Sequence, residues 1–179
     1  LLCDEVDRYG TTKEGDPLKL AEQRTLNFFN SKRIFVSTPT IRGASKIEDK
    51  FLFSDQRFFF VPCPHCGKFQ ELKWENVKWD KDEKNKPILD SSRLICLFCG
   101  EVIRGAGKIS RELLARGEWR AKNNSPKENC RGYSLNALYS PWVDLSRLVE
   151  EFCNCVETKN GLQEFVNLKL GESFDAANF

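Results

Sequence analysis

Apolar residues in the first third of the chain occur in short runs separated by polar, helix-forming segments. The runs typical of buried strands lie in LLCDEVD (1–7), KRIFVSTPT (32–40) and RFFFVP (57–62). Asp16 and Pro17 predict a helix start, and 43–55 fits a second helix. The residues expected on the apolar face of the first helix are Leu18, Ala21, Thr25 and Phe28. Strand, helix, strand, helix, strand predicts an α/β fold with a parallel sheet.

The pattern changes twice further along the chain. Residues 63–104 carry two cysteine pairs joined by short alternating segments, and the wholly polar stretch 80–86 predicts a hairpin end. Residues 105–179 return to helical periodicity. The helices predicted there cover 107–119, 145–157 and 162–170, with Gly171 as the last stop and an extended aromatic stretch at 132–142. We therefore divide the chain at 1–62, 63–104 and 105–179.

Composition narrows the class of protein but says little about its partners. Hydrophobic residues make up 40% and charged residues 30% of the 179 positions, which is typical of a globular domain and not of a disordered chain. No apolar run approaches the ~18–20 residues that cross a bilayer. The formal charge is only +2, so any attraction to nucleic acid must come from local patches.

The cysteines carry the clearest chemical pattern. CPHCG (63–67) and CLFCG (96–100) each supply two thiols on a tight turn, and each pair is followed by a glycine able to adopt positive φ. Four thiolates at this spacing predict a closed, structural zinc site formed by Cys63, Cys66, Cys96 and Cys99. His65, the only histidine, lies between better ligands and is expected to be exposed. Four further cysteines are expected to act as small, at least half-buried residues: Cys3, Cys130, Cys153 and Cys155.

A second chemical pattern lies at the ends of the first two predicted strands. Asp4 and Glu5 follow an apolar run, and Ser37 and Thr38 follow the next one. In a nucleotide-hydrolysing sheet, the first carboxylate at such a strand end holds the hydration shell of Mg²⁺ and the second orients the attacking water. Hydroxyls on the neighbouring strand can sense the γ-phosphate. An Asp-Glu pair is also a common strand cap, so the pattern gains weight from the Ser-Thr strand beside it.

Taken together, the stretches resemble the large subunit of tailed-bacteriophage terminases of the lambda-like type. The matching stretches are DEVD (4–7), VSTPT (36–40), SDQRFFFVPCPHCG (54–67), LKWENVKW (72–79), CLFCGEVI (96–103), GEWRA (117–121), GYSLNALYSPW (132–142) and FVNLKLGE (165–172). The resemblance implies a partial P-loop ATPase sheet of the ASCE type, with a four-cysteine zinc-ribbon insertion and C-terminal helices. It also implies that Asp4 is the Walker B aspartate, which holds Mg²⁺ with ATP. Glu5 would be the catalytic glutamate, and Ser37 with Thr38 the coupling motif.

The chain departs from that family in one respect. No G-x-x-x-x-G-K-[ST] loop occurs in these residues, and the chain has no Met. We therefore expect an upstream half of the ATPase and a downstream endonuclease domain outside this chain, and no ATP hydrolysis by these residues alone. Residues 161–179 are then a connection toward the nuclease, and Asp175 is a weak candidate for a nuclease metal ligand.

Basic and aromatic side chains offer weaker candidates. Between Glu101 and Tyr133 there are eight Lys or Arg and four Asp or Glu, an excess that could contact DNA but that also fits a solvated helix. Trp74, Trp79 and Phe69 are expected in the ribbon core more than on a base-stacking surface. The candidates for a transition-state arginine are Arg24, Arg33 and Arg42.

The resemblance implies an ATP-driven motor that moves double-stranded DNA into procapsids in the cytoplasm of a bacterial host. Its implied partners are double-stranded DNA, the terminase small subunit, the procapsid portal and other copies of the chain. The main alternative is a zinc-ribbon interaction module without catalysis, or a remnant from a decayed prophage. A helicase-like ATPase would share the Asp-Glu and Ser-Thr strands but not the end-to-end set of motifs.

Overall fold

A computed structural model describes residues 1–124, 126, 129–175 and 177. The strands are β1 (Leu2–Cys3), β2 (Ile34–Phe35), β3 (Arg57–Pro62), β4 (Phe69–Glu71), β5 (Val77–Lys81), β6 (Pro87–Ile95), β7 (Val102–Arg104), β8 (Glu118–Ala121) and β9 (Tyr133–Ser134). The helices are α1 (Pro17–Gln23), α2 (Lys46–Leu52), α3 (Arg111–Ala115), α4 (Leu145–Cys155) and α5 (Lys159–Phe165). Within these residues, no helix is long and apolar enough to cross a membrane.

The first two strands form the predicted parallel pair. Leu2 lies opposite Ile34 and Cys3 opposite Phe35, and α1 begins as expected, with Asp16 Oδ1 accepting a 3.0 Å hydrogen bond from the amide of Leu18. A small core forms between this pair and the helices. Its buried members are Cys3, Val6 and Leu18, with Tyr9, Ala21, Phe35 and Ile47 packed against them.

The prediction that 57–62 continues the parallel sheet is wrong. β3 is the centre of a separate four-stranded sheet, antiparallel to β4 and β8 and parallel to β9. The physical reason is that other segments satisfy both hydrogen-bonding edges of β3, so none remains for β2. An apolar run has no preference of its own between parallel and antiparallel partners.

Two predicted helices are shorter than the sequence pattern indicates. α1 ends at Gln23, so Thr25 and Phe28 do not extend its apolar face, and Phe28 is 64% exposed. α3 covers only five residues of the predicted 107–119, because Gly117 ends it and β8 follows at once. A Cβ at Gly117 would lie 2.5 Å from the ring of Phe59, so this turn packs directly on β3.

The helix predicted over 43–55 is present but covers only Lys46–Leu52, and the stretch 132–142 is extended only in part, since Ala137–Tyr139 form a 3-10 turn. Several further predictions are confirmed. Residues 80–86 form the end of the β5–β6 hairpin, and α4 buries Leu145, Leu148 and Val149. The last helix continues from α5 into a π-helical turn at Val166–Leu170, and Gly171 ends it at φ 63°. Trp74 and Trp79 pack against Phe152 and Phe165, which confirms them as core residues.

One large core joins the cysteine-bearing strands to the C-terminal third. It is formed by Val61, Leu72, Val77, Leu94, Ile109, Leu113, Leu138, Tyr139, Leu145, Leu148 and Val149. These residues come from both antiparallel sheets and from α3 and α4. Residues 63–104 therefore bury their apolar face against 105–165 and do not form an isolated module.

Two buried polar side chains tie the layers of this core together. Arg104, at the end of β7, donates hydrogen bonds to the carbonyls of Gly107, Leu138 and Val143. Burial lowers the pKa of its guanidinium to about 10, partly offset by the charge of Asp144, so Arg104 remains protonated at neutral pH. The Tyr139 hydroxyl accepts from the amide of Leu72 at 2.7 Å and donates to the carbonyl of Phe59 at 2.5 Å. Burial raises the pKa of Tyr139, so the hydroxyl stays protonated and can donate.

Tyr139→Phe should destabilise the chain by about 1–3 kcal/mol, because the buried amide of Leu72 loses its acceptor. Denaturant unfolding followed by fluorescence measures the change. Tyr133→Phe is the matched control, since Tyr133 is 53% exposed, and it should shift stability by less than about 0.5 kcal/mol. Equal stability of the two variants would contradict a structural role for the Tyr139 hydroxyl.

Candidate metal centre and carboxylate edge

The two Cys-x-x-Cys-Gly segments form matching turns. The amide of Gly67 donates to the carbonyl of Cys63 at 2.9 Å, and the amide of Gly100 donates to the carbonyl of Cys96 at 3.0 Å. Both glycines have positive φ, at 70° and 76°, a conformation that L side chains rarely adopt. The glycine after each pair therefore has the role predicted from the sequence.

The four predicted thiols converge. Their sulfur atoms all lie within 4.8 Å of one another, with 3.7 Å between Cys63 and Cys99 and 3.8 Å between Cys66 and Cys96. A tetrahedral ion with metal–sulfur distances of about 2.3 Å separates its ligands by about 3.8 Å. The cluster therefore has the size of a four-thiolate metal centre. Cys63 and Cys96 are buried, whereas Cys66 and Cys99 are exposed.

Hydrogen-bond donors surround the sulfur atoms. The amides of His65 and Phe98 point at Cys63 and Cys96, each at 3.4 Å. Gln70 adds a side-chain donor, with its Nε2 3.0 Å from the sulfur of Cys96. Burial alone would raise the pKa of the Cys96 thiol, but the backbone amide of Cys99, the side chain of Gln70 and the amide of Phe98 lower it to about 6. A thiolate stabilised in this way is a good metal ligand at neutral pH.

Gln70 is the member of this site that the sequence analysis missed. It is 3% exposed, and its Oε1 also accepts a 2.8 Å hydrogen bond from the amide of Leu97. One side chain from β4 therefore holds both the sulfur and the backbone of the second turn. The only sequence signal is a difference between the two cysteine turns at equivalent positions. Seven residues after Cys63 the chain has the polar Gln70, whereas seven residues after Cys96 it has the apolar Ile103.

The remaining cysteines and the histidine lie as expected. His65 is exposed, and its Nε2 is 3.2 Å from the carbonyl of Val102 and not in the sulfur cluster. Cys3 is buried, and the other three cysteines are half-buried. Burial raises the pKa of the Cys153 and Cys155 thiols, which keeps them protonated.

The structure also brings together the segments after β1 and β2 that carry Asp4, Glu5, Ser37 and Thr38, here called the carboxylate edge. Asp4 and Glu5 are exposed directly after β1, and Ser37 and Thr38 are half-buried after β2. The backbone of Glu5 turns sharply, at φ 53° and ψ 42°, with its amide donating to Asp4 Oδ1 at 3.0 Å. The Ser37 hydroxyl accepts from the amide of Asp7 at 3.2 Å, so the two predicted motifs are in direct contact.

Asp7 and Thr40 complete this edge and were not singled out from the sequence. Asp7 Oδ1 accepts from the amide of Ile47 in the first turn of α2 at 2.8 Å. Its Oδ2 accepts from the hydroxyl of Thr40 at 2.9 Å. Both oxygens of Asp7 thus hold protein groups, which leaves Asp4 and Glu5 as the carboxylates that face solvent. Nothing in the sequence distinguishes these roles among three acids within four residues.

The three candidate arginines have different surroundings. Arg24 lies beside Leu1, at the amino end of β1. The Nε of Arg33 donates to the hydroxyl of Thr25 at 2.6 Å. Arg33 lies before β2 and the Ser37–Thr38 pair lies after it, so the two are at opposite ends of this strand. Arg42 forms a 3.0 Å ion pair with Asp175, the residue considered as a nuclease ligand. Arg8 lines a cleft of about 340 Å³ with Thr38 and was not considered from the sequence.

Three of the basic residues between Glu101 and Tyr133 are buried or paired with acidic side chains. Arg104 is buried. Arg120 pairs with Glu118 at 2.6 Å and lies over Phe60 and Phe69. Lys122 pairs with Glu71 at 2.7 Å and lies 3.6 Å over the ring of Phe58. Lys127 and Glu128 lie outside the described residues. Phe69 accordingly packs under a cation and not in the ribbon core.

Comparison with known proteins identifies the family. Residues 1–119 match the sequence profile of "Phage terminase large subunit gpA, ATPase domain", and residues 130–178 match "Terminase large subunit gpA, endonuclease domain". The chain belongs to the gpA family of phage terminase large subunits. The ATPase match includes both the carboxylate edge and all four clustered cysteines.

Two curated relatives of this chain carry the name "Terminase, large subunit". That of Enterobacteria phage P21 is 31% identical over 190 aligned residues, and that of Escherichia phage lambda is 26% identical over 180. Each alignment covers 92% of this chain and 28% of the relative. The chain therefore spans less than a third of the length of these relatives. No solved structure shows a significant match to it.

The endonuclease match begins at residue 130, within the 105–179 part that the sequence analysis treated as a return to the ATPase core and a connection. The matched segment supplies β9, α4 and α5. It packs against the cysteine-bearing strands through the shared core described above. The two profile matches therefore meet inside one packed unit.

Gln70→Leu should weaken the affinity of the four thiols for Zn²⁺ about tenfold to hundredfold, because Cys96 loses a buried donor and Leu97 loses its acceptor. Competition with a chromophoric chelator measures the affinity. Gln163→Leu, which changes a half-buried glutamine on α5, is the control and should bind Zn²⁺ like the parent. An unchanged affinity in Gln70→Leu would show that Gln70 only fills space.

Proposed function

We propose that this chain is part of an ATP-hydrolysing motor that packages double-stranded DNA into phage procapsids. The observation that carries the proposal is the hydrogen bond from the amide of Asp7, two residues after Glu5, to Ser37, which holds the segments after the parallel strands β1 and β2 together. Family membership supports it, since the relatives bear the name terminase large subunit. The partners that follow are DNA, the terminase small subunit, the portal and further copies of the chain, in the cytoplasm of a bacterial host.

The proposed roles of the carboxylates follow from their positions. Asp4 would hold the hydration shell of the Mg²⁺ that accompanies ATP, and Glu5 would orient the attacking water and accept its proton. Mg²⁺ would supply charge neutralisation at the phosphates. Both side chains are exposed at the end of β1, whereas Asp7 is held by Ile47 and Thr40. Ser37 and Thr38 would report the state of the γ-phosphate to the backbone of Asp7 through the Ser37 hydroxyl.

We also propose that the four thiols hold one structural Zn²⁺. Their number, tetrahedral spacing and donor-rich surroundings fit this ion, and four protein ligands leave no position for substrate. Cys63 directly follows β3 and Cys96 directly follows β6. Zinc would then stabilise the junction of the two antiparallel sheets. In this proposal 1–62 belongs to the ATPase core, 63–104 is the ribbon, and 105–179 leads into the nuclease part, whose profile match begins at residue 130.

The alternative, a zinc-binding interaction module without catalysis, shares the metal centre but needs no hydrolytic edge. The direct contact between Ser37 and the Asp4–Asp7 turn favours the motor, because a module of that kind has no use for two motifs held together. Measuring hydrolysis separates the two functions.

In a protein of the relatives' length that carries these residues, Glu5→Gln should reduce Mg-ATP hydrolysis at least about a hundredfold, since the water loses its base. ATP binding should stay near the parent value, because the amide keeps the shape of the side chain. A phosphate-release assay and a nucleotide-binding assay measure the two effects. Glu14→Gln, on an exposed residue away from the edge, is the control. Normal turnover in Glu5→Gln would remove Glu5 from its proposed role.

Purified chain should contain about one zinc ion, and a strong chelator should unfold the cysteine-bearing strands, because the metal joins their ends. Elemental analysis and circular dichroism measure these effects. Cys66→Ser should lose the ion, whereas Cys130→Ser should keep it, since Cys130 lies outside the sulfur cluster. A folded, metal-free parent protein would contradict the proposed site.

A further inference from the structure

The C-terminal segment returns to the loop that follows Ser37 and Thr38. The side-chain amide of Asn167 donates to the carbonyl of Thr40 at 2.7 Å, and the amide of Phe174 donates to the same carbonyl at 2.8 Å. The amide of Arg42 in turn donates to the carbonyl of Phe174 at 3.0 Å. The segment that matches the endonuclease profile thus forms a short parallel bridge with the loop of the ATPase profile.

Asn167 has an unusual position for a polar side chain. It is 8% exposed and lies in the π-helical turn Val166–Leu170 that ends the last helix. A second hydrogen bond, from its Nδ2 to the carbonyl of Glu172 at 2.8 Å, fixes the amide against the returning chain. π-helical turns are rare and occur frequently at functional sites. The bond to Thr40 thus joins Asn167 to a segment 127 residues away in the chain, and the bond to Glu172 holds the amide against its own end of the chain.

The hydrogen bonds continue from Thr40 to the carboxylate edge. The hydroxyl of Thr40 donates to Asp7 Oδ2, and Asp7 Oδ1 accepts from Ile47 at the start of α2. The amide of Asp7, two residues after Glu5, donates to the hydroxyl of Ser37. Thr40 is therefore held at its carbonyl by the C-terminal segment and at its hydroxyl by the turn that carries Glu5.

A second link between the same segments has a different character. Arg42 and Asp175 form an ion pair at 3.0 Å, but the Arg42 side chain is 62% exposed. Exposed ion pairs contribute little to stability, typically about 0–1 kcal/mol. The buried side-chain amide of Asn167 therefore fixes the position of Thr40 together with the backbone amide of Phe174, and of the two only the Asn167 contact can be removed by changing a side chain.

We propose that Asn167 is a positioning residue for the ATPase edge, acting on Glu5 through Thr40 and Asp7. The inference rests on the proposed function of Glu5 and extends it. The C-terminal segment that matches the endonuclease profile then takes part in forming the hydrolytic edge of the ATPase part. A displacement of that segment would move Thr40 and break its hydrogen bond to Asp7. The position of the C-terminal segment would therefore affect the rate of ATP hydrolysis at Glu5.

The test uses a protein of the relatives' length that hydrolyses Mg-ATP. Asn167→Asp keeps the size of the side chain but replaces its donor with an acceptor, so the bond to Thr40 is lost. We expect kcat to fall between about tenfold and a hundredfold, the range that misplacement of a catalytic group causes, with KM for ATP within twofold of the parent. Asn154→Asp, on an exposed amide of α4, is the control and should leave both constants unchanged.

Thr40 tests the route by which Asn167 acts. Thr40→Val loses the hydroxyl that Asp7 accepts from, whereas Thr40→Ser keeps it. Thr40→Val should lower kcat as Asn167→Asp does, Thr40→Ser should retain kcat, and the double variant Asn167→Asp with Thr40→Val should be no slower than the worse single variant. The two Thr40 variants also keep the test valid if Asn167→Asp does not fold.

The outcomes separate this inference from the proposed function. A parent protein that does not hydrolyse Mg-ATP contradicts the proposed function and the inference with it. An active parent with full activity in Asn167→Asp and in Thr40→Val contradicts the inference alone. A fall in thermal stability with unchanged kcat shows a purely structural role and also overturns the inference. The inference is likewise overturned if the double variant lowers kcat by the product of the two single effects, since Asn167 and Thr40 would then act independently.

Discussion

The convergence of four cysteine sulfurs is the constraint on which most of the structure depends. Cys63 directly follows β3, the centre of the four-stranded sheet, and Cys96 directly follows β6, the centre of the three-stranded sheet. Because the sulfurs lie within 4.8 Å of one another, the two sheets must meet at these strand ends. The shared core of α3, α4 and both sheets then forms beneath this junction. Gln70 reinforces it from β4 by holding Cys96 and Leu97 together.

A second network, made of neutral and charged hydrogen bonds, organises the parallel pair of strands. Asp7 is its centre, since it contacts Ser37, Thr40 and Ile47. Two backbone turns and a helix start thereby acquire fixed positions relative to Asp4 and Glu5. Asn167 extends the network to the C-terminal segment through the carbonyl of Thr40. The cysteine cluster and the carboxylate edge are thus held in place by separate sets of contacts.

Sequence patterns predicted the local features of both sites. Cys-x-x-Cys-Gly spacing indicated the tight turns and their positive-φ glycines, because a short turn has few conformations and glycine is suited to them. The helix start at Asp16 and the stop at Gly171 were likewise predictable from capping chemistry. Such features depend on neighbours within a few residues. The assignment of β3 to a parallel sheet failed because strand partners are chosen at long range.

The sequence by itself determined which side chains are able to bind a metal or act on water, since these properties belong to Cys63, Cys66, Cys96, Cys99, Asp4 and Glu5 as residue types at given spacings. Only the tertiary structure decided which carboxylate of the turn is free and which is structural, because Asp7 is distinguished from Asp4 solely by its distant partners Thr40 and Ile47. The same holds for Gln70 and Asn167. Their roles arise from buried amides meeting groups 26 and 127 residues away in the chain, and no local pattern records such a meeting.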